Sequence, residues 1–391
     1  MEDLYAAYRT ARRNKRRSAD SVEYELRAEA NLRRLLDDIN RRTLRPTAYT
    51  FVTMKPRPRE IFACEMGMRI VHHYLDIRLR PLIEARLTDR TFNNRIGFGQ
   101  SAAVNRLAAN IYEVTQGFTK DAYVVKADIQ GYFPNASQDI VFGQLSRLII
   151  DEYEGTDKDD LLYMLQVSVF SYPTHHCYRK SPVTKWENIP PGKSLFTKPD
   201  GTGAAIGHLI WQNAMNYYLD GVDHFVTDTL GLHYVRFVDD MVFVVENKAA
   251  FLPWVETFRR MLAEYGCTMH PRKFHCQHVS KGVEFIGSVI RGGRIYASSR
   301  AVRNAEKAVR EFNRCARPQK LTEFLASVNS YLGIFKTRDG LARARSLAGR
   351  ISRKWLYYCK FDEDTVTVKS LPGYGHHDRI RRKYKLKLNR I

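Results

Sequence analysis

Three carboxylates carry the strongest chemical signal. Asp128 closes AYVVKADIQGYF (122–133), a short β-branched run that reads as a buried strand. Asp239 and Asp240 lie between two apolar runs in HYVRFVDDMVFVVEN (233–247), a hairpin-like pattern. An isolated Asp-Asp pair at a hairpin tip is ordinarily a solvated turn. Here Phe237-Val238 precede it and Met241-Val242-Phe243 follow. The preferred turn pairs Asn-Gly and Asp-Gly are absent. Carboxylates at strand ends of one sheet can converge on a point. Hard divalent cations want oxygen ligands, and Mg²⁺ takes one or two carboxylates plus substrate phosphates. Two such ions about 4 Å apart stabilise the entering and leaving oxygens of an in-line phosphoryl displacement.

Other segments must position these acids. Residues 49–62 alternate and carry Pro, which predicts a strand pair or edge strand. Helices are predicted over 66–87, 137–172, 205–226 and 251–265. NRIGFGQSAA (94–103) reads as a glycine-bearing turn into a helix. Residues 173–203 are rich in Pro, Gly, Lys and Ser and read as a long loop or hairpin insertion. A small hairpin is predicted over 282–297, and three helices with basic outer faces over 298–317, 320–335 and 340–358. No internal repeat is visible.

The composition sets the class. The chain has 391 residues, 44% hydrophobic and 12% aromatic, with Lys and Arg numbering 63 against 42 acids. A net charge of +21 points to a polyanionic partner, most often nucleic acid. Apolar residues run through the whole length, which argues against disorder. No run is long and apolar enough to span a membrane, and no apolar leader follows Met1, so neither membrane nor secretion is expected. Six cysteines without a CxxC pair read as reduced thiols and a cytoplasmic protein. The basic cluster from Arg9 to Arg17 and the basic tail 369–391 read as phosphate-contacting surfaces.

At this point the chain resembles the reverse transcriptases. Asp128 with Gly131-Tyr132-Phe133 is similar to the first catalytic motif of that family, and Phe237-Val238-Asp239-Asp240 to its aromatic-x-Asp-Asp motif. Gly207 through Gln212, with Asn216, resembles the motif between them. Gly282–Gly287 resembles the primer-grip hairpin, Lys55-x-Arg57-x-Arg59-x-Ile61 the fingers motif, and Arg95–Gly99 the glycine turn after it. The resemblance covers roughly residues 1–350 and implies an α+β right-hand polymerase fold. Fingers would lie near 1–120, palm near 121–297 with an insertion over 145–203, and a helical thumb with its basic tail over 298–391.

The resemblance also implies roles. Asp128, Asp239 and Asp240, with Ile129 beside them, would hold two Mg²⁺ ions, Mn²⁺ being a substitute. Lys273 would protonate the leaving pyrophosphate. Arg57 and Arg59 would bind the incoming dNTP, whose phosphates suit guanidinium donors. Phe133 would crowd a 2′-hydroxyl, and Ile206, Gly207 and Gln212 would border the nucleotide. Lys55, Arg95, Trp211, Asn216, Val238, Phe285, Ile286 and Gly287 would meet template and primer. The partners implied are template RNA, an RNA–DNA hybrid, a dedicated non-coding RNA and an accessory protein or oligomer.

Within the family, Ile206-Gly207 followed by Gln212, with Lys193–Phe196, Asn216–Leu219 and Asp223–Val226, resembles the error-prone diversity-generating retroelement enzymes. Trp211 replaces their Ser, Ala204-Ala205 their Leu-Pro and His208 their Asn. The indole of Trp211 would either stack on a base or fill a core cavity. The alternatives are an antiphage defence enzyme making repetitive or unconventionally primed or templated DNA, and an inactive RNA-binding scaffold. Cys267, His270, His275, Cys276 and His278 cluster without the paired spacing of a zinc knuckle and read as hairpin packing, as do His175, His176 and Cys177. No Walker loop, nuclease motif or ribonuclease H extension is visible.

Overall fold

A computed structural model describes residues 1–374 except 14, 16, 17, 55, 56 and 339. The predicted contacts of Arg16, Arg17 and Lys55 and of the tail over 375–391 therefore lie outside the described residues. The chain divides into two compact units. Unit 1 comprises residues 1–103 and 125–276, and unit 2 residues 104–124 and 277–391.

Unit 1 begins with α1 (Glu2–Ala11), α2 (Ala19–Glu25) and α3 (Ala28–Asn40). Leu4, Ala7, Tyr8 and Ala11 recur on one face of α1 and are buried. That face packs on the long helix α4 (Met66–Arg86). The junction is tied by Arg78, which pairs with Asp3 and Asp157, and by Arg69 with Asp20. Between these helices, β1 (Ala48–Thr53) and β2 (Arg59–Cys64) form the expected antiparallel pair, in register from Ala48–Cys64 to Thr53–Arg59.

After α4 come β3 (Thr91–Phe92), α5 (Gln100–Val114), β4 (Tyr123–Asp128), α6 (Gln138–Glu152) and α7 (Lys158–Val169). Leu145, Leu148 and Ile149 of α6 and Leu161, Met164 and Leu165 of α7 are core residues. The first part of the expected insertion is thus integral helix. The rest is not a loose loop either. Its strand β5 (Cys177–Arg179) pairs in parallel with β1. The buried Glu60 carboxylate accepts hydrogen bonds from Trp186 Nε1, Ser194 Oγ at 3.0 Å and the Leu195 amide at 2.8 Å. One carboxylate thereby organises a segment with few apolar residues of its own.

The chain continues through α8 (Leu209–Tyr217), α9 (Asp220–His224), β6 (His233–Phe237), β7 (Asp240–Val245), α10 (Lys248–Phe251), α11 (Trp254–Glu264) and β8 (His275–His278). The helix expected over 205–226 is therefore split, with a π turn after α9. In the sheet, β3, β6, β7 and β4 are successive neighbours. Met241 to Val245 are all buried, which explains why β7 reads as a continuous apolar run.

Unit 2 holds a three-stranded sheet of β9 (Val283–Phe285), β10 (Ser288–Arg291) and β11 (Arg294–Ala297), one strand more than expected. Four helices follow: α12 (Ser299–Arg314), α13 (Leu321–Lys336), α14 (Leu341–Gly349) and α15 (Arg353–Leu356). Their core centres on Phe324 and Trp355, whose rings stack at 4.3 Å. The chain then forms an unexpected hairpin of β12 (Cys359–Asp362) and β13 (Thr367–Ser370), whose turn is held by Asp362 accepting from the Thr365 amide. Strands of four residues carry too little periodicity to stand out in sequence. No described helix is long and apolar enough to cross a membrane.

Candidate active site

The three carboxylates meet where β4 and the β6–β7 hairpin end. β4 and β7 are neighbours, and the Ile129 amide donates to the Asp239 carbonyl at 3.1 Å, locking the two strand ends together. Phe237 pairs with Asp240, so Val238 and Asp239 form a two-residue turn. Val238 has φ +62°, a left-handed backbone that a β-branched residue adopts only under strain. The missing turn residues were therefore informative. This turn exists to place Asp239, not to reverse the chain cheaply.

The electrostatics describe a site short of positive charge. Burial first, and then the charges of Asp240 and Asp128, push the Asp239 carboxyl up to about 6. Asp240 is raised by burial and by Asp128, and Lys126, Lys273 and Arg57 draw it back. Lys273 Nζ lies 2.8 Å from both oxygens of Asp128, a cation seated where a metal could sit. An all-oxygen cluster of mutually repelling carboxylates suits hard divalent cations, so the residues fit a metal pair. Lys126 was missed in sequence, although it lies two residues before Asp128 on the same face of β4.

Beneath the turn lies a buried ion pair that sequence reasoning also missed. Arg236 and Asp223 have fully buried side chains, with Arg236 Nε 2.8 Å from Asp223 Oδ1. Arg236 also donates to the Asn216 carbonyl at 2.7 Å and the Val238 carbonyl at 3.2 Å. Thr91 and Tyr234 hydroxyls donate to the same Asp223 carboxylate. The sequence signal was a lone Arg within the apolar strand His233–Phe237.

The remaining predicted residues divide. Arg57 and Arg59 are exposed at the turn end of the β1–β2 pair, where Thr53 faces Arg59, and Arg57 faces Asp240 electrostatically. Phe133 is half-buried, and its carbonyl accepts from the Ala204 amide at 2.8 Å. Ile206 accepts from the Phe62 amide at 2.7 Å, docking the entry to α8 on β2. Gly207 has φ +115°, and a Cβ there would stand 2.2 Å from the Phe62 carbonyl oxygen. Gly207→Ala should therefore lower stability by about 3 kcal/mol, combining strain with overpacking. An unchanged thermal midpoint would refute this close approach.

The other candidate residues lie in varied surroundings. Gln212 is exposed on α8, whereas Asn216, one turn on, is 2% exposed and donates to the Asn93 carbonyl at 2.7 Å. Arg95 donates to the Thr88 and Thr91 carbonyls and lies over the Phe98 ring at 4.0 Å, holding its own turn rather than offering a free guanidinium. Trp211 is 2% exposed, which makes its indole a core residue rather than a base-stacking platform. Phe285, Ile286 and Gly287 belong to unit 2, with Phe285 buried in β9 and the other two at positive φ in the turn after it. In the Cys/His cluster, Cys267 is buried while Cys276 is exposed, and His278 bonds to Ser280 and Asp121. These residues form ordinary packing and turn contacts.

Residues 53–290 match the reverse transcriptase (RNA-dependent DNA polymerase) family. No curated protein matches the sequence. Among solved structures, a truncated apo telomerase from Candida tropicalis is similar, with 13% identity over 64% of this chain and 55% of that one and a TM-score of 0.45. Telomerase from Candida albicans with a fragment of telomeric RNA shows 12% identity over 85% of this chain and 59% of that one, also at 0.45. The chain thus spans little more than half the length of the telomerases it matches. The family match takes in β2 through β9 and all three carboxylates, more than half of the sequence. The chain belongs to the reverse transcriptase family and carries its right-hand polymerase fold, in which mixed helices and sheets bring Asp128, Asp239 and Asp240 together.

Proposed function

We propose that the protein is an active RNA-directed DNA polymerase that adds dNTPs to a primer hydroxyl and releases pyrophosphate. The observation that carries this reading is the convergence of three acids beside one strained turn, where burial and the neighbouring carboxylates raise Asp239 to about 6. Asp128, Asp239 and Asp240 would hold two Mg²⁺ ions, with Mn²⁺ as a substitute. When bound, such ions stabilise charge on the entering and leaving oxygens. Arg57 and Arg59 orient the triphosphate by paired donors. Lys273 moves from Asp128 toward the departing pyrophosphate and gives it a proton. In this reading the fingers lie near 1–120, the palm near 121–297 and the thumb over 298–391. Exposed lysines and arginines of α12 and the basic termini grip RNA and hybrid backbones.

Phe133 excludes the ribose 2′-hydroxyl from this site. Phe133→Ala should raise ribonucleotide incorporation relative to dNTP use by about tenfold to a hundredfold, measured as a ratio of kcat/KM values. Unchanged selectivity would remove Phe133 from that role.

The biological role proposed is that of an error-prone diversity-generating retroelement enzyme, with a dedicated non-coding RNA and an accessory protein, in the cytoplasm. The burial of Trp211 supports it. The substitution that departs most from that group serves packing and leaves the exposed Gln212 in place. The deciding experiment is sequencing of DNA made by the purified protein with its co-purifying RNA, Mg²⁺ and four dNTPs. A complementary copy with errors concentrated at template adenines is expected. A repetitive product, or one without a matching RNA, would overturn this role in favour of antiphage defence.

A further inference from the structure

Three metal-binding side chains from distant parts of unit 1 meet away from the carboxylates. Cys64 ends β2, His72 lies on the second turn of α4 and His208 caps the start of α8. All three are buried, at 4%, 1% and 3% exposure. Their ligand atoms lie within 4.8 Å of one another, and Cys64 Sγ is 3.5 Å from His72 Nδ1. Two ligands of a tetrahedral zinc, at about 2.3 Å for sulfur and about 2.0 Å for nitrogen, stand about 3.5 Å apart. The Cys64–His72 spacing already has that value.

Hydrogen bonding does not account for the trio. His72 Nε2 and both ring nitrogens of His208 are buried without a partner. Buried polar atoms are normally satisfied, so the unpartnered His208 ring beside Cys64 and His72 calls for an occupant. A small cavity reaches all three side chains, with Ala48, Pro173 and His176 in its wall.

We infer that Cys64, His72 and His208 form a structural zinc site, separate from the polymerase centre. One thiolate and two imidazoles are a donor set for a borderline-soft ion and a poor one for Mg²⁺. On binding, the Cys64 S–H bond breaks, its proton goes to solvent and a zinc–sulfur bond forms. The ion pins β2 and α4 to the segment where Ile206 and Gly207 dock on Phe62. The inference does not depend on catalytic activity.

The test uses the full chain, stripped with a chelator and reloaded with zinc. Wild type should retain one zinc per chain through gel filtration, as should Cys276→Ser. His208→Asn should bind zinc at least about 100-fold more weakly. With Co²⁺ in place of zinc, a thiolate-to-cobalt absorption band should form in wild type and vanish in Cys64→Ser. X-ray absorption at the zinc edge of wild type should show one sulfur and at least two nitrogen neighbours, which keeps the test decisive if Cys64→Ser does not fold. Failure to retain zinc, a shell without sulfur, or undiminished affinity in His208→Asn would overturn the site.

Discussion

Asp239→Asn is expected to abolish DNA synthesis, by at least about 10³-fold, while leaving RNA affinity within about twofold of wild type. The side chain keeps its size and the turn keeps its backbone, because Ile129 bonds to the Asp239 carbonyl and not to the carboxylate. What disappears is one of the negative charges that the site exists to gather. Phosphate contacts on exposed basic surfaces are untouched, so the salt-dependent part of RNA binding should persist. Primer extension and RNA filter binding, run on the same preparations, separate the two effects. Extension near the wild-type rate would sink the two-metal assignment.

The same variant should be more stable than wild type in EDTA, by about 1–2 kcal/mol at pH 7. In the folded chain Asp239 ionises near pH 6, against about 4 for an unfolded aspartate. The folded state therefore binds more protons than the unfolded state in that interval. Stability falls as pH rises through it and levels off above it. Asp239→Asn removes that slope. Mg²⁺ should raise the unfolding midpoint of wild type and do so much less in the variant, a readout independent of turnover.

These expectations show which parts of the site are legible in sequence. Asp128, Asp239 and Asp240 stand out because the strands that carry them have local signatures: β-branched runs, apolar flanks and the absence of ordinary turn residues. The β1–β2 pair and α4 are visible for the same reason. Asn216 is different. Its amide is claimed by the Asn93 carbonyl, a partner from a remote turn. Arg95 is likewise absorbed by the carbonyls of Thr88 and Thr91. The Cys64–His72–His208 trio defeats a search for closely spaced ligands, because β2, α4 and the entry to α8 are joined only by folding. Closely spaced Cys and His residues over 267–278 drew attention instead, and the structure sends them to different surroundings. Local periodicity specifies elements, whereas partners far apart in the chain are decided by packing.

The Asp223–Arg236 pair is also decided by packing, and breaking it should have the largest effect on stability. Asp223→Asn preserves shape and leaves the Arg236 charge buried without its counterion. The expected loss is about 3–5 kcal/mol, read as a lowered unfolding midpoint. Arg236→Met should lose a similar amount, since it strands Asp223 and frees the Asn216 and Val238 carbonyls. The double variant Asp223→Leu/Arg236→Met removes both charges and should be more stable than either single variant, because desolvating an ion pair cancels much of its attraction. Activity should not follow stability. Arg236 supports the Val238 carbonyl in the strained turn that aims Asp239, and an apolar replacement cannot hold that carbonyl. The double variant should therefore fold yet extend primers at least about tenfold more slowly than wild type. A single-variant loss below about 1 kcal/mol would deny the pair its structural role. A double variant as active as wild type would show that the turn places Asp239 without it.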